Sequence, residues 1–118
     1  MDSAQYNFKI YQGATWARQC TLKSTAGVTI DLSSYTARLT FWRPGMATPD
    51  LVLTSAAQGG IVLAATAPNL SVTITDEQTA AMTLSMSHAL EIESAGGVVD
   101  SLWYGRATLV HGSPVVVV

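Results

Sequence analysis

"GVTIDLSSYTARLTFWRP", residues 27–44, decides the fold. In its second half Ala37, Leu39 and Phe41 fall on one side of an extended chain, and Thr36, Arg38, Thr40 and Trp42 fall on the other. That period of two marks a strand with one buried face. The first half, Val28 to Leu32, is apolar at every second position and reads as a further short strand, with Ser33 and Ser34 at the corner between the two. Burial accounts for Ala37, Leu39 and Phe41. It does not account for Trp42 on the wet face, beside Arg38 and Arg43.

The same pattern recurs outward from this stretch. "YNFKIYQ" sets Tyr6, Phe8 and Ile10 on one face of a first strand, which Gly13 ends. "TWARQCTL" is a second, with Arg18 interrupting the series Trp16, Cys20, Leu22; a bulge, a paired arginine or an edge position would each explain it. "RPGMATPD" is a loop by its two prolines and glycine. "LVLTS", "IVLAAT" and "LSVTIT" follow, the last burying Leu70, Val72 and Ile74. "DEQTAAM" gives the one helix signal, over residues 76–82, with Thr75 or Asp76 as cap, and it is placed to cross from one sheet to the other. "HALEIES" alternates, Gly96 and Gly97 turn the chain, "VVDSLWY" returns, and "RATLV" and "PVVVV" finish it. About nine short strands with frequent turns and one short helix predict an all-β, antiparallel, immunoglobulin-like β-sandwich in a single domain, 1–118. The expected core is Phe8, Ile10, Leu22, Leu39, Phe41, Leu53, Ile61, Leu63, Val72, Ile74, Leu90, Ile92 and Leu109.

Composition narrows the function. Charged residues make up 12% of the 118, about half the usual share. Contacts on such a surface rest on shape and hydrogen bonds more than on long-range fields. A formal net charge of −2, with scattered basic residues, gives no reason to bind nucleic acid or an anionic membrane. No run approaches the ~20 apolar residues of a membrane helix, and "MDSAQYNFKI" lacks the features of a signal peptide. Cys20 is the single cysteine, which rules out an internal disulfide, and its parity makes it a plain core thiol.

Catalytic and metal chemistry find no support. His88 and His111 lack the company of ligands that a zinc site requires, so each reads as a structural histidine and no cofactor is implied. Glu91 and Glu93 lie two apart on one strand and read as solvated surface rather than a glycosidase pair. The strained G-x-S-x-G elbow of a hydrolase is missing, and neither "GG" is followed by a phosphate-loop lysine.

Five pieces occur in a telling order: "YQGATW", "GVTIDLSSYTARL", "LVLTSAAQGGIVL", "LSVTITDEQTAAM" and "HALEIES" leading into "GGVVDSLWYGRATL". Together they resemble a family of small virion-associated proteins of tailed bacteriophages, and also the amino-terminal modules of phage baseplate and tail proteins. The resemblance covers about Tyr11 to Val110. His88, Ala89 and Leu90 stand where that family often has Tyr-Asp-Leu, and the close "VHGSPVVVV" departs from it. The resemblance implies no catalytic residues. It implies a β-sandwich in the virion that assembles with copies of itself, as a homo-oligomer, and with other phage virion proteins.

On that expectation the chain is a structural part of the tail, baseplate or neck, and a capsid decoration protein is the near alternative. Arg38, Thr40, Trp42 and Arg43 are the candidate interface, since Trp and Arg concentrate where binding energy does. The plainer account of Trp42 is that it covers its own domain, and Trp103 reads as core. A carbohydrate-binding or host-adhesion module is a further alternative, with Trp42, Trp103 and Tyr104 as exposed aromatics. If the strand parity is right, Leu39→Ala costs roughly 2–5 kcal/mol of stability. A loss under about half a kcal/mol in urea unfolding would show Leu39 facing solvent.

Overall fold

The computed structural model describes residues 4–111. In chain order its elements are β1 (Ala4–Gln5), β2 (Phe8–Tyr11), β3 (Trp16–Cys20), β4 (Thr36–Trp42), β5 (Leu51–Thr54), β6 (Ile61–Leu63), β7 (Leu70–Ile74), α1 (Asp76–Ala80), β8 (Met86–Glu93) and β9 (Val99–Val110). The larger sheet runs β1-β9-β8-β4-β5, with β2 also on β9. The smaller runs β3-β7-β6. The two form an immunoglobulin-like β-sandwich. "PVVVV", expected to be a terminal strand, lies outside the described residues.

The alternation in β4 does what the sequence predicts. Ala37, Leu39 and Phe41 point into the sandwich and are buried. His88, Leu90 and Ile92 do the same from β8, and Leu70, Val72 and Ile74 from β7. Of the expected core, Phe8, Leu22, Leu63 and Leu109 are only partly buried and pack around its margin. Between the sheets, α1 starts on a capping box. The Thr75 hydroxyl accepts from the Gln78 N–H and the Gln78 side chain accepts from the Thr75 N–H, which satisfies two otherwise orphaned donors.

Two local expectations need correction. Val28 to Leu32 is not a strand; it carries one isolated bridge, Lys23 to Thr29. The alternation there records an extended chain that plugs Leu32 into the core, while Val28 is 65% exposed. Asp31 forms the corner by accepting from the Ser33 N–H (2.9 Å) and hydroxyl (2.6 Å), which holds its carboxyl below the ordinary range. "VVDSLWY" and "RATLV" are one strand, β9, running through Gly105. A bulge at Leu102 lets both Leu102 and Trp103 turn inward.

Pairing is not wholly antiparallel. β1 and β2 run parallel to β9. Short connections exclude parallel neighbours only when the two strands are close in sequence. Here nearly the whole chain lies between them. The first strand is also broken at Tyr6 and Asn7, which press against Gly105; a Cβ there would collide with the Tyr6 carbonyl and Asn7 Oδ1. Asn7 Oδ1 instead accepts from the Arg106 N–H at 2.9 Å.

Asn69, fully buried, joins three irregular segments. Its side chain accepts from the Leu22 N–H (2.7 Å) and donates to the carbonyls of Leu22 (3.0 Å) and Ile30 (2.8 Å). Each buried group left without a partner costs about 1–3 kcal/mol. Asn69→Ala is therefore expected to lose roughly 2–4 kcal/mol in urea unfolding. Asn69→Asp, which sets a carboxylate against two carbonyls, should lose at least as much at neutral pH. A near-neutral Asn69→Ala would show that water replaces the amide.

Candidate functional site

The outer face of the larger sheet carries Arg38, Thr40 and Trp42 of the four residues singled out from the sequence, and Arg43 follows just past the end of β4. Strands β5, β4, β8 and β9 pair in series, with one register shift at the Leu102 bulge, and their outward side chains form rows. The central row is Val52, Thr40, Ala89, Tyr104. Trp42 lies in the next row beside Ser87 and Arg106. Arg38 lies on the opposite side, between Thr54 and Glu91.

Thr40 is 5% exposed although it faces outward. The neighbouring side chains and the loop after β4 close over it. Trp42 is half-buried, so neither plain reading holds in full; one part of the ring covers its own domain and another part is open. Arg38, Thr40, Trp42, Pro49, Val52 and Glu91 line a shallow groove of about 400 Å³.

Both arginines have a carboxylate nearby. Arg38 lies 3.5 Å from Glu91 across the β4–β8 pair. Arg43 Nε lies 2.9 Å from Asp50 Oδ1, close in distance but out of hydrogen-bond alignment. The second pair ties the two ends of the 43–50 loop, and Asp50 sits just beyond the acid-free stretch from Leu32 to Pro49. Surface pairs of this kind add little stability, typically under ~1 kcal/mol. They leave the arginines oriented on the face.

The other candidates lie elsewhere. Trp103 is buried on the inner face, so Trp42, Trp103 and Tyr104 do not make one aromatic platform; Tyr104, 49% exposed, shares the outer face with Trp42. Cys20 is half-buried beside an inter-sheet cleft of about 400 Å³, lined also by Tyr6, Arg18, Leu22 and Trp103. Arg18 keeps its inward parity at that open end, with its guanidinium 5.4 Å from the centre of the Tyr6 ring. His111 Nδ1 donates to Gln12 Oε1 at 2.8 Å. Among the described residues no group of three or more His, Cys, Asp or Glu is placed to hold a metal ion, and no helix is long and apolar enough to cross a membrane.

His88 is buried among Tyr6, Phe8 and Phe41. Its Nε2 lies 2.7 Å from the Tyr6 carbonyl, which can only accept, so Nε2 carries the proton. Nδ1 is left buried and bare. Burial pushes the imidazole below its ordinary range, and the bond to Tyr6 opposes that.

Sequence reasoning found Arg38, Thr40, Trp42 and Arg43 from one strand and its end. It missed Val52, Ala89, Tyr104 and Arg106 as their neighbours, because only strand register brings these together.

No family model matches the chain, and no curated protein matches it. A solved structure of murine CRIg resembles it at a TM-score of 0.42 and 10% identity, covering 91% of this chain and 92% of that one. That likeness is too loose to bear on activity.

The state of His88 sets a pH dependence. Its folded pKa lies below its unfolded value near 6.5, so the unfolded chain binds the extra proton first. The stabilisation is complete above about pH 6.5 and is lost as pH falls from there through the folded pKa. Unfolding free energy should decline over that window, and His88→Gln should flatten the decline. An unchanged slope in His88→Gln would assign the acid sensitivity to other groups.

Proposed function

We propose that this chain is a structural virion protein of a tailed bacteriophage, a component of the tail, baseplate or neck, and that it acts by protein–protein assembly through the outer face of its larger sheet. The observation that carries the reading is the setting of Trp42: a half-buried ring over a floor of small side chains, flanked by two oriented arginines. A half-buried tryptophan with Thr40, Ser87, Ala89 and Val52 as its small outer-face neighbours has the character of an anchor. The ordered motifs from Tyr11 to Val110 supply the virion setting by resemblance. Assembly partners are copies of this chain and other phage virion proteins; nucleic acid and membrane are not among them. A capsid decoration protein would use the same face. For the carbohydrate-binding or host-adhesion alternative, the inward turn of Trp103 removes one of its three aromatics.

Labelling the protein in intact particles and imaging them by electron microscopy distinguishes tail, neck and capsid positions. Trp42→Ala tests the face itself. Truncating a packed Trp anchor typically costs ~2 kcal/mol or more, roughly thirtyfold in affinity. Weakened binding to the virion partner, with the isolated subunit's melting temperature little changed, is the expected result. Intact assembly with a lowered melt would return Trp42 to its own domain and move the interface elsewhere.

A further inference from the structure

The rows on the outer face are complementary to one another in a particular way. From the β5 side to the β9 side they read Asp50, Trp42, Ser87, Arg106; then Val52, Thr40, Ala89, Tyr104; then Thr54, Arg38, Glu91, Ser101. Asp50 lies just before β5, past the last register pair Phe41–Leu51, and stands beside the β5 end of the first row; its N–H donates to the Phe41 carbonyl at 2.8 Å. Consider a two-fold axis lying along the strands between β4 and β8. It sets each row over the same row of a second copy and exchanges β4 with β8 and β5 with β9. Such an interface uses the same patch twice and must be complementary to itself.

This face meets that demand. Arg38 comes over Glu91 of the second copy, and Glu91 over Arg38. Arg106, exposed and without a carboxylate partner among the described residues, comes over Asp50. Trp42 comes over Ser87, large against small. Tyr104 comes over Val52, both partly exposed and apolar. Ala89 and the already covered Thr40 occupy the centre of the patch. No like charges meet in any of the three rows.

We propose that the occupant of this face is a second copy of this chain, packed sheet to sheet about that axis. The proposal rests on the reading of this face as an assembly surface and names its partner. Four strands about 4.8 Å apart make a patch roughly 20 Å across. That is at the low end for a stable interface of about 800 Å² per partner. The dimer is therefore a reversible one, suited to reinforcement by other contacts in a larger particle.

Sedimentation equilibrium of the full chain tests it. The mass should rise with concentration from 12.5 kDa toward twice that value. Arg38→Glu and Glu91→Arg each set like charges against one another across the axis and should weaken the dimer about tenfold or more. Mixed together, the two variants should dimerise again. In the mixed pair each introduced charge faces an opposite one across the axis, whereas within each subunit the two positions still carry like charges. Recovery therefore reports the contact between copies and not a repaired fold. Arg106→Glu, remote from that pair, should also weaken the dimer, and it serves if either of the first two fails to fold. A wild type that stays at monomer mass, variants that dimerise like the wild type, or a mixture that does not recover would overturn the proposal. A monomeric wild type whose Trp42→Ala variant still loses its virion partner would overturn the dimer alone. A chain missing from the particles would overturn the virion reading and leave the dimer to be judged by sedimentation.

Discussion

The sandwich depends on how one buried amide is satisfied. The smaller sheet has three strands, which is near the minimum that holds together through its own face. Much of its cover over the core comes from irregular chain on either side of it, including Leu32, which is fully buried without belonging to a strand. Irregular chain can be buried only if its N–H and C=O groups find partners. The Asn69 side chain gives partners to Leu22 and Ile30, and the Ala64 carbonyl accepts from the Leu32 N–H at 3.1 Å. The hydrophobic effect thus drives Leu32 inward, and Asn69 makes that position tolerable for the main chain around it.

A second constraint closes the opposite side of the fold. β1 and β2 attach to β9 in parallel, and the break between them brings the Tyr6 carbonyl to His88. Gly105 allows the approach because it has no Cβ. The attachment sets Phe8 against Trp16, ring centres 4.3 Å apart, so the two sheets are joined by stacked aromatics at this end. A titratable ring inside that cluster is the cost of using a side chain, rather than a further strand, to satisfy Tyr6.

Local pattern was legible in the sequence, and long-range pairing was not. The alternation of β4, β7 and β8 and the capping signal at Thr75 depend on neighbours a few residues away, so they could be read directly. Val28 to Leu32 has the period of a strand, but a strand also needs a continuous ladder, and pattern alone cannot report one. The bulge at Leu102 and the continuity of β9 through Gly105 depend on what lies across the sheet. The candidate site divides the same way. Arg38, Thr40 and Trp42 share one strand and were visible; Tyr104 and Arg106 join them only through two further registers. Trp103 reads as core from the sequence and is buried, but the inserted residue beside it, and the outward turn of Tyr104 that follows, show only in the pairing.

The charges agree with the proposed use of this face for contact. Of the chain's six Lys and Arg, the outer face and its margin hold Arg38, Arg43 and Arg106; of its eight Asp and Glu, they hold Asp50, Glu91 and Glu93. The face is therefore neutral, and the formal charge of −2 belongs to the remaining three bases and five acids. Two copies, or a copy and another protein of like charge, repel least where this face is presented. Four of the six charged groups already lie opposite one another, and Thr40 at the centre has already lost most of its water. Covering the face thus removes less hydration than covering an equal area of isolated charges would, and desolvation of imperfectly paired polar groups is a principal cost of association. Inside the sandwich the period of two hides apolar side chains. Outside, the same period gathers the paired charges and the open aromatics onto one surface, the one proposed for assembly.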